Sequence, residues 1–520
     1  MSIILLAIII LLLTYLIWDF VTGKPKNSPP GIIRLPLWGS YWFLLWGNYY
    51  FPHQTVAYYV KKLKSKIIGC YFGNAYTVIV NDYASVKEVL TRKEFDGRLG
   101  DNYIFRARAN GKKLGMFFND DYEWKQQRRF ALHNMRNLGF GRRHKQLENV
   151  LAEELDVLVD TIKNGPINDK EKQVVDKDRV LFPDILSPIS ANYIWTVMAN
   201  KRLPRTETGE EHESLRELCK WARTFQAGGD VTGGAKTMTP WLRYFGNLFG
   251  YTDFINGTRA IANFVEDFIK ELNDSNESMS EETSDAFIPI YLREMKKIHE
   301  KAGDNSEDID AKMFSTEQLV MICTDFMFAA MSATPGVATN CIKYMIHYPE
   351  VMKRVQEEID SVVGPNHLPG WDDRSRLPFT EAVIREVMRM ETLAPLSVGH
   401  RCTETTQLFE YTIPEGTLVF PNLSAIHSDP DLWGDPENFR PDRFIENGKI
   451  VKDLTLPFGF GRRVCPAETY SRFIVFEIFA TLVQNFDFES LKGQPSRPQD
   501  KTPGFAVQPK SCWIKFKSRR

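Results

Sequence analysis

The N-terminal segment is the most apolar part of the chain. Every position in residues 3–18 is apolar except for Thr14 and Tyr15. A run of this length is close to the lower limit of about 17–25 residues for a helix that spans a bilayer. No Lys or Arg precedes it and the cleavage signature after it is weak, so the pattern favours a retained anchor over a cleaved signal peptide. We predict a transmembrane anchor over residues 1–22.

Prolines and lysines dominate the segment that follows the apolar run. The prolines within residues 23–40 cannot continue a helix, so this segment is predicted to be a stiff hinge. Lys24 and Lys26 come directly after the apolar run, and the positive-inside rule therefore leaves the rest of the chain in the cytosol. We find no later linker, and residues 41–520 are predicted to form one large folded unit on a single-pass anchor.

The periodicity of apolar positions predicts a mainly α-helical unit with a smaller β portion. Two short strands are indicated in residues 66–80 around a Gly-Asn turn, with Asp82 as the cap of the next helix. Strand-like patterns return within residues 398–419. Helical patterns cover residues 124–136, 142–164, 184–198, 214–225 and 380–392.

A long apolar segment near the middle of the chain predicts a central, buried helix. Ser315 and Gln318 form a capping-box pattern at its start, and the apolar positions continue to about Tyr348. A helix that is apolar on nearly every side has to be buried within the fold.

Composition narrows the class of protein further. Apolar residues make up 43% of the 520 residues, and the formal net charge is -1. A nucleic-acid-binding protein normally carries a clear basic excess, so we expect no nucleic-acid partner. The seven cysteines are scattered and contain no Cys-x-x-Cys pair, which argues against a disulfide framework or a zinc finger and fits a reducing compartment.

The segment PFGFGRRVCP at residues 457–466 carries the strongest chemical signal. It lies directly before a helical pattern, where the dipole and the free backbone N–H groups are expected to lower the pKa of the Cys465 thiol. Gly459 and Gly461 allow a tight turn near the sulfur. Arg463 offers a forked cation for a carboxylate, and Phe458 can keep water from the sulfur.

This segment resembles the cysteine loop of the cytochromes P450, with the pattern F-x-x-G-x-R-x-C. The resemblance extends over nearly the whole chain and is closest to the microsomal animal enzymes that hydroxylate steroids, fatty acids and foreign compounds. It implies the cytochrome P450 fold, a haem b cofactor and Cys465 as the thiolate ligand of the iron. By the same resemblance, Arg463 binds a haem carboxylate and Phe458 packs on the porphyrin. Ala467 departs from the usual Gly of the family.

Further residues match the family at their expected places. Glu386 and Arg389 are three residues apart on one helix face, and the resemblance implies that they form a buried structural triad with Arg443. Trp124 and Arg128 are four residues apart, so both can reach one haem propionate, although a core Trp beside a surface Arg would give the same pattern.

A third propionate contact is implied by the resemblance alone. His400 stands just before a predicted strand, where related enzymes place a histidine that binds a propionate.

The central helix departs from the family at residues 329–335. Related enzymes carry an acid followed by a threonine here, and these groups deliver protons during cleavage of the O–O bond. In this chain Ser332 stands at the acid position, Ala333 at the threonine position, and Thr334 one residue later, turned by about 100°. We predict Ser332 and Thr334 as the catalytic residues, with Ser332 and an ordered water relaying protons. The alternatives are an isomerase or dehydratase that acts on a peroxide without a reductase, and a non-catalytic haem-binding protein.

The resemblance also implies the reaction and its partners. NADPH would supply two electrons through NADPH–cytochrome P450 reductase, and one atom of O2 would enter a hydrophobic small molecule at the endoplasmic reticulum membrane. Lys125, Arg129 and the basic residues within 136–145 form a candidate docking face for the reductase. Substrate contacts are expected from residues 101–118, 326–332 and 393–398, and from the region near Phe505.

Overall fold

Helices make up most of the protein, as the sequence predicts. The computed structural model describes residues 2–35, 38–99, 102–228, 240–274, 285–303, 308–451 and 453–519. In these ranges the α-helices of nine residues or more are Ser2–Thr22, Pro52–Leu63, Tyr83–Thr91, Asp121–Met135, Lys145–Asn164, Ser187–Ala199, Glu210–Gly228, Tyr251–Asp274, Phe287–Ala302, Thr316–His347, Pro349–Val362, Pro378–Met390 and Glu468–Asn485. Shorter α-helices are Trp42–Trp46, Tyr103–Ala107, Ile309–Met313, Leu423–His427 and Pro430–Trp433.

The β portion consists of small sheets assembled from distant parts of the chain. One four-stranded sheet has the order Ile67–Phe72, Ala75–Val80, Leu418–Pro421 and His400–Arg401. Its first pair is antiparallel, its second parallel and its third antiparallel. A second four-stranded sheet has the order Phe486–Ser490, Cys512–Ser518, Arg179–Phe182 and Val175–Asp176. Two-stranded sheets pair Thr406–Leu408 with Tyr411–Ile413, Ile445–Glu446 with Lys449–Ile450, and Lys501–Thr502 with Gln508–Pro509.

The predicted hairpin and its helix cap are confirmed. Ile67 pairs with Val80 and the two strands turn at Gly73, whose φ of 61° suits a residue without a side chain. Asp82 then accepts a hydrogen bond from the backbone N–H of Ser85 at 2.7 Å, which satisfies a free amide at the helix start.

The helix Thr316–His347, called the central helix below, is buried along most of its length. Ser315 caps it by accepting from the Gln318 N–H at 3.2 Å, as predicted. The reciprocal bond of the capping box, from the Ser315 N–H to the Gln318 side chain, was predicted wrongly. The Gln318 side chain accepts the Gly115 N–H at 2.9 Å instead. A tertiary contact therefore replaces the local one and connects the central helix to the loop before residue 118.

A buried ion pair holds the same loop on the central helix. Arg108 donates to Asp325 at 2.7 Å, with side chains that are 0% and 3% exposed. The other carboxylate oxygen of Asp325 accepts from the N–H groups of Met116 and Phe117 at 2.6 and 2.9 Å. These bonds fix the loop against the helix on which substrate contacts are predicted.

The predicted charge triad is confirmed. Arg389 contacts Glu386 at 2.7 and 2.8 Å, and Arg443 donates to the same carboxylate at 3.0 Å. All three side chains are at most 4% exposed. The triad joins the helix Pro378–Met390 to the segment that leads towards the cysteine.

The N-terminal helix Ser2–Thr22 presents its apolar side chains outward, with Ile4 and Trp18 each more than 60% exposed. Its apolar stretch, Ile4–Trp18, is shorter than a full membrane span. Within the described ranges, the helix that is long and apolar enough for one is the central helix, which is mostly buried. The anchor at residues 1–22 and the domain boundaries therefore stay predictions.

Candidate active site

The cysteine loop, residues 457–466, closes as a hairpin in front of a helix. The Cys465 N–H donates to the Phe458 carbonyl at 2.9 Å, and the Gly459 N–H donates to Leu456 at 3.0 Å. Cys465 is half-buried, and the helix Glu468–Asn485 begins three residues later. The sulfur therefore lies beside free amides at a helix start.

Two glycines of the loop differ in what a side chain would meet. Gly461 has φ +69° and Gly459 has φ +75°, a region that costs other residues about 1–2 kcal/mol. A Cβ at Gly461 would also overlap the Leu90 carbonyl oxygen, whereas one at Gly459 would meet nothing within 4 Å.

We therefore expect Gly461→Ala to lower the free energy of unfolding clearly more than its matched control, Gly459→Ala. Gly459→Ala should cost about 1–2 kcal/mol, the backbone penalty alone. Urea unfolding of the two variants measures the difference. Equal losses would mean that the contact with Leu90 adds nothing.

The pKa of Cys465 is raised, whereas the sequence predicted a lowered pKa. Burial raises the pKa of the thiol to about 11, and the Glu468 carboxylate also raises it. The Ala467 N–H and the Arg128 guanidinium lower the pKa but do not outweigh burial. A helix N-terminus is thus insufficient here, and a bound metal cation is the kind of charge that removes the proton from a coordinating thiol.

Donor groups cluster near the cysteine loop in what we call the cationic pocket. Its members come from four separate segments and are Arg98, Trp124, Arg128, His400 and Arg463. In the part of the chain that the structure describes, none of the three guanidinium groups has a carboxylate within ion-pair distance, and all of them donate to backbone carbonyls instead. Burial and mutual repulsion lower the pKa of Arg463 to about 8 and that of Arg98 to about 9.

Arg463 and Trp124 form the centre of this pocket. The Arg463 guanidinium carbon lies 3.3 Å from the centroid of the Trp124 ring, and its N–H groups donate to the carbonyls of Asp96 and Asn119. The buried indole N–H of Trp124 has no partner. Arg128, four residues on, donates to Val464 O at 2.7 Å, so Trp124 and Arg128 do lie at one site.

His400 is buried at the edge of the same pocket. Its Nδ1 lies 2.6 Å from the Phe95 carbonyl oxygen, so the proton resides on Nδ1. Burial and the nearby Arg98 and Arg463 cations lower its pKa well below the usual value, which keeps the imidazole neutral. A carboxylate beside it would favour a second proton on Nε2 and turn that atom into a donor.

The donor set fits the propionates of a haem. Buried or half-buried cations without a counter-ion are costly, and the Trp124 indole N–H, which has no partner among the described residues, adds a further unsatisfied donor. Two carboxylates would satisfy these groups through charge-assisted bonds. Cys465, on the neighbouring loop, supplies the sulfur that such a cofactor needs.

The central helix presents an apolar stripe that includes Ala333, the position at which related enzymes carry the threonine. Its half-buried positions are Ala329, Ala330, Ala333 and Val337, which recur at helical spacing on one side. Ser332 lies off this stripe, with its hydroxyl donating to Phe328 O at 2.7 Å and accepting from Gln226 at 3.1 Å. Thr334 is buried with its hydroxyl unpartnered. The two predicted catalytic residues are therefore not brought together, and their roles stay predictions.

Aromatic side chains bring the predicted substrate segments together. The members of this Phe cluster touch one another with ring centroids 4.0 to 6.2 Å apart and are Phe105, Phe117, Phe118, Phe225, Phe254, Phe328 and Phe505. The Val507 N–H donates to Leu393 O at 2.8 Å, which adds the fourth predicted segment. Asp101, at the start of the first segment, lies outside the described residues.

Sequence reasoning missed several members of these sites. Arg98 lies outside any helical spacing pattern that would have identified it as a haem-binding residue. The fold brings it to the pocket, where it donates hydrogen bonds to the Val398 and Gly399 carbonyls. Phe225 and Phe254 lie on two helices that pack together. Their sequence pattern is that of ordinary core residues, so nothing in it indicated a substrate site. Gln226 has an unpartnered, buried carbonyl oxygen, which no sequence pattern would reveal.

The predicted docking face is exposed. Lys125, Arg129, Arg136, Arg142 and Lys145 are all accessible to solvent. The neighbouring Arg143 is already paired with Glu148 and Asp372. Most of the predicted basic residues are thus accessible to an acidic partner.

The chain combines a mainly helical fold with a cysteine loop at a helix start and a cationic pocket suited to carboxylates. These features together are those of a haem-thiolate protein. The cytochrome P450 family model matches residues 29–516. The chain belongs to the cytochrome P450 family and is a P450 monooxygenase by membership, which confirms the resemblance noted in the sequence.

Curated relatives of the chain are animal proteins. Human cytochrome P450 2J2 is 31% identical over 477 residues, covering 90% of this chain and 88% of its own. Farnesoate epoxidase of Bombyx mori is 27% identical over 520 residues, and the probable cytochrome P450 305a1 of Drosophila melanogaster is 28% identical over 522. Each of these two matches covers 98% of both chains.

Proposed function

We propose that the protein is a haem-thiolate monooxygenase that inserts one atom of O2 into a hydrophobic small molecule. The second oxygen atom leaves as water, with two electrons from NADPH through NADPH–cytochrome P450 reductase. The observation that carries this proposal is Cys465 at a helix start beside a cluster of cations in which, among the described residues, the Arg98 Nε–H and the Trp124 indole N–H are buried without a partner. When bound as haem b, the cofactor supplies O2 activation, and its thiolate ligand favours O–O cleavage.

The residues of the chain have distinct roles in this proposal. Cys465 ligates the iron, and Phe458, on the same loop, shields the sulfur. Trp124, Arg128, His400 and Arg463, together with Arg98, orient the cofactor by binding its propionates. The Phe cluster excludes water and offers an apolar wall to the substrate. Ser332 and Thr334 remain the candidates for holding a proton-carrying water.

The surroundings of the protein follow from the same proposal. The anchor at residues 1–22 and the hinge at residues 23–40 would hold the haem domain, residues 41–520, on the cytosolic side of the endoplasmic reticulum membrane. The exposed basic residues, including Arg129 and Lys145, would meet the acidic reductase. The name of the Bombyx mori relative suggests farnesoate as one hydrophobic substrate to test.

A carbon-monoxide difference spectrum of the reduced protein tests the proposal. Wild type should give a strongly red-shifted Soret band, and Cys465→Ala should lose that band together with NADPH-dependent turnover. Cys402→Ser is the matched control, because that buried thiol donates to the backbone carbonyls of Glu404 and Ile413 and a serine hydroxyl can do the same. A histidine-like band in wild type, or an unchanged band in Cys465→Ala, would refute the thiolate role.

A second candidate function has one observation in its favour. The half-buried stripe of the central helix, which includes Ala333, carries no hydroxyl or carboxyl group. An isomerase or dehydratase that acts on a peroxide would need no proton relay at this position. Product formation from a hydroperoxide without NADPH, and no O2 uptake with NADPH and reductase, would select this function instead.

A further inference from the structure

A cavity of about 130 Å³ lies apart from the cysteine loop. Its polar lining residues, called the polar wall below, are His53, Gln54, Thr392, Ser424, Gln499 and Lys501. Its apolar lining residues, called the apolar wall below, are Phe51, Met390, Pro395 and Val507. A cavity of this size holds a small organic group rather than a single water.

The polar wall is rich in donors. Lys501 uses one N–H on Glu391 at 2.6 Å, which leaves its other protons free to bind a ligand. Glu391 is itself satisfied, because Tyr344 donates to its second oxygen at 2.9 Å. Among the described residues, the buried His53 Nδ1 has no hydrogen-bond partner. Glu391 is therefore occupied, whereas the remaining N–H groups of Lys501 and the His53 ring can bind a ligand.

The electrostatics of His53 respond to the sign of a bound charge. Burial and the Lys501 cation lower the pKa of His53 to about 4, so the imidazole is neutral without a ligand. An anion between the two side chains would offset the field of Lys501 and let His53 take up a proton. The anion would then contact the protonated His53 and Lys501, which keeps its bond to Glu391.

The apolar wall shares a chain segment with the Phe cluster. Val507 is joined to Leu393 by a backbone hydrogen bond of 2.8 Å, and Phe505, two residues earlier, packs on Phe117 and Phe118. A hydrocarbon chain attached to a head group in the cavity would therefore run along Val507.

We propose that this cavity binds the carboxylate of an apolar molecule between His53 and Lys501. The hydrocarbon part lies on Met390, Pro395 and Val507. The same chemistry belongs to a substrate that carries a carboxylate and to a separate fatty acid that binds beside the active site. The site does not depend on the proposed function, because binding can be measured whether or not the protein turns over.

Calorimetric titration of the haem-loaded, full-length protein with octanoate tests the site. Octanoate should bind at least tenfold more weakly to Lys501→Gln and to His53→Phe than to wild type, whereas Lys501→Arg should restore binding. His53→Phe breaks no ion pair, so it tests the site even if Lys501→Gln destabilises Glu391. Lys517→Gln, at an exposed lysine elsewhere, is the matched control and should bind octanoate as wild type does.

Octanol distinguishes the carboxylate from the hydrocarbon chain. Its affinity should be the same in wild type and in Lys501→Gln. A parallel change in the haem spectrum with octanoate would assign the site to the substrate's own carboxylate, and heat without a spectral change would assign it to a separate fatty acid. Unchanged octanoate affinity in both His53→Phe and Lys501→Gln, or an equal loss of octanol affinity, would overturn the proposal.

Discussion

Replacing Glu386 by Gln should destabilise the protein by about 3–5 kcal/mol, because it leaves buried cations without a counter-charge. The carboxylate accepts four hydrogen bonds, two from Arg389, one from Arg443 and one from the Arg440 N–H. Arg389 is 2% exposed, and burial together with the Arg389 cation lowers the pKa of His427 to about 3. The loss is a large share of a typical stability of about 5–15 kcal/mol.

Asp442→Asn provides a control on the same segment as Arg443. Asp442 pairs with Arg354 at 2.8 and 2.9 Å, but both side chains are more than 50% exposed. An exposed pair of this kind contributes about 0–1 kcal/mol. Urea unfolding of the haem-loaded variants compares the two. A loss below about 1 kcal/mol in Glu386→Gln would mean that water or another carboxylate compensates the two arginines.

Local sequence patterns predicted the elements that local chemistry determines. The hairpin at Gly73 and the cap at Asp82 depend on residues next to one another, and both are confirmed. The spacing of Glu386 and Arg389 was enough to predict that they share one helix face. That they are buried together with Arg443 could be predicted only from the family resemblance. Gln318 was predicted wrongly because its partner, Gly115, is about two hundred residues away in the sequence.

Within the candidate site, the cysteine loop could be predicted from the sequence, whereas the other parts could be predicted less well. The cysteine loop is contiguous, so its pattern could be found, but the pKa of Cys465 depends on burial that no local pattern records. Arg98 joins the cationic pocket through the fold alone. The contact between Gln226 and Ser332 was equally unpredictable, because it joins two helices that are far apart in the sequence.

Arg463→Met should weaken haem binding much more than it changes the stability of the haem-free protein. Arg463 is a half-buried cation, and burial together with the nearby Arg98 and Arg128 cations lowers its pKa to about 8. Removing this poorly compensated cation is favourable, because a charge taken out of water without a counter-ion is costly. The carbonyls of Asp96 and Asn119 would lose their donors, which opposes that gain, so we expect the stability of the haem-free protein to change by about 1 kcal/mol or less.

With haem, the same substitution removes a charged hydrogen-bond donor from a propionate. Such a bond contributes about 1.5–3 kcal/mol, so haem should bind about 10–150-fold more weakly. Unfolding of the haem-free protein and transfer of haem to an acceptor protein measure the two effects separately. Arg462→Met is the matched control, because this neighbouring arginine is exposed and pairs with Asp96 at the surface. If Arg463→Met instead destabilised the haem-free protein as strongly as it weakened haem binding, Arg463 would be a structural hydrogen-bond donor and not a group that awaits a carboxylate.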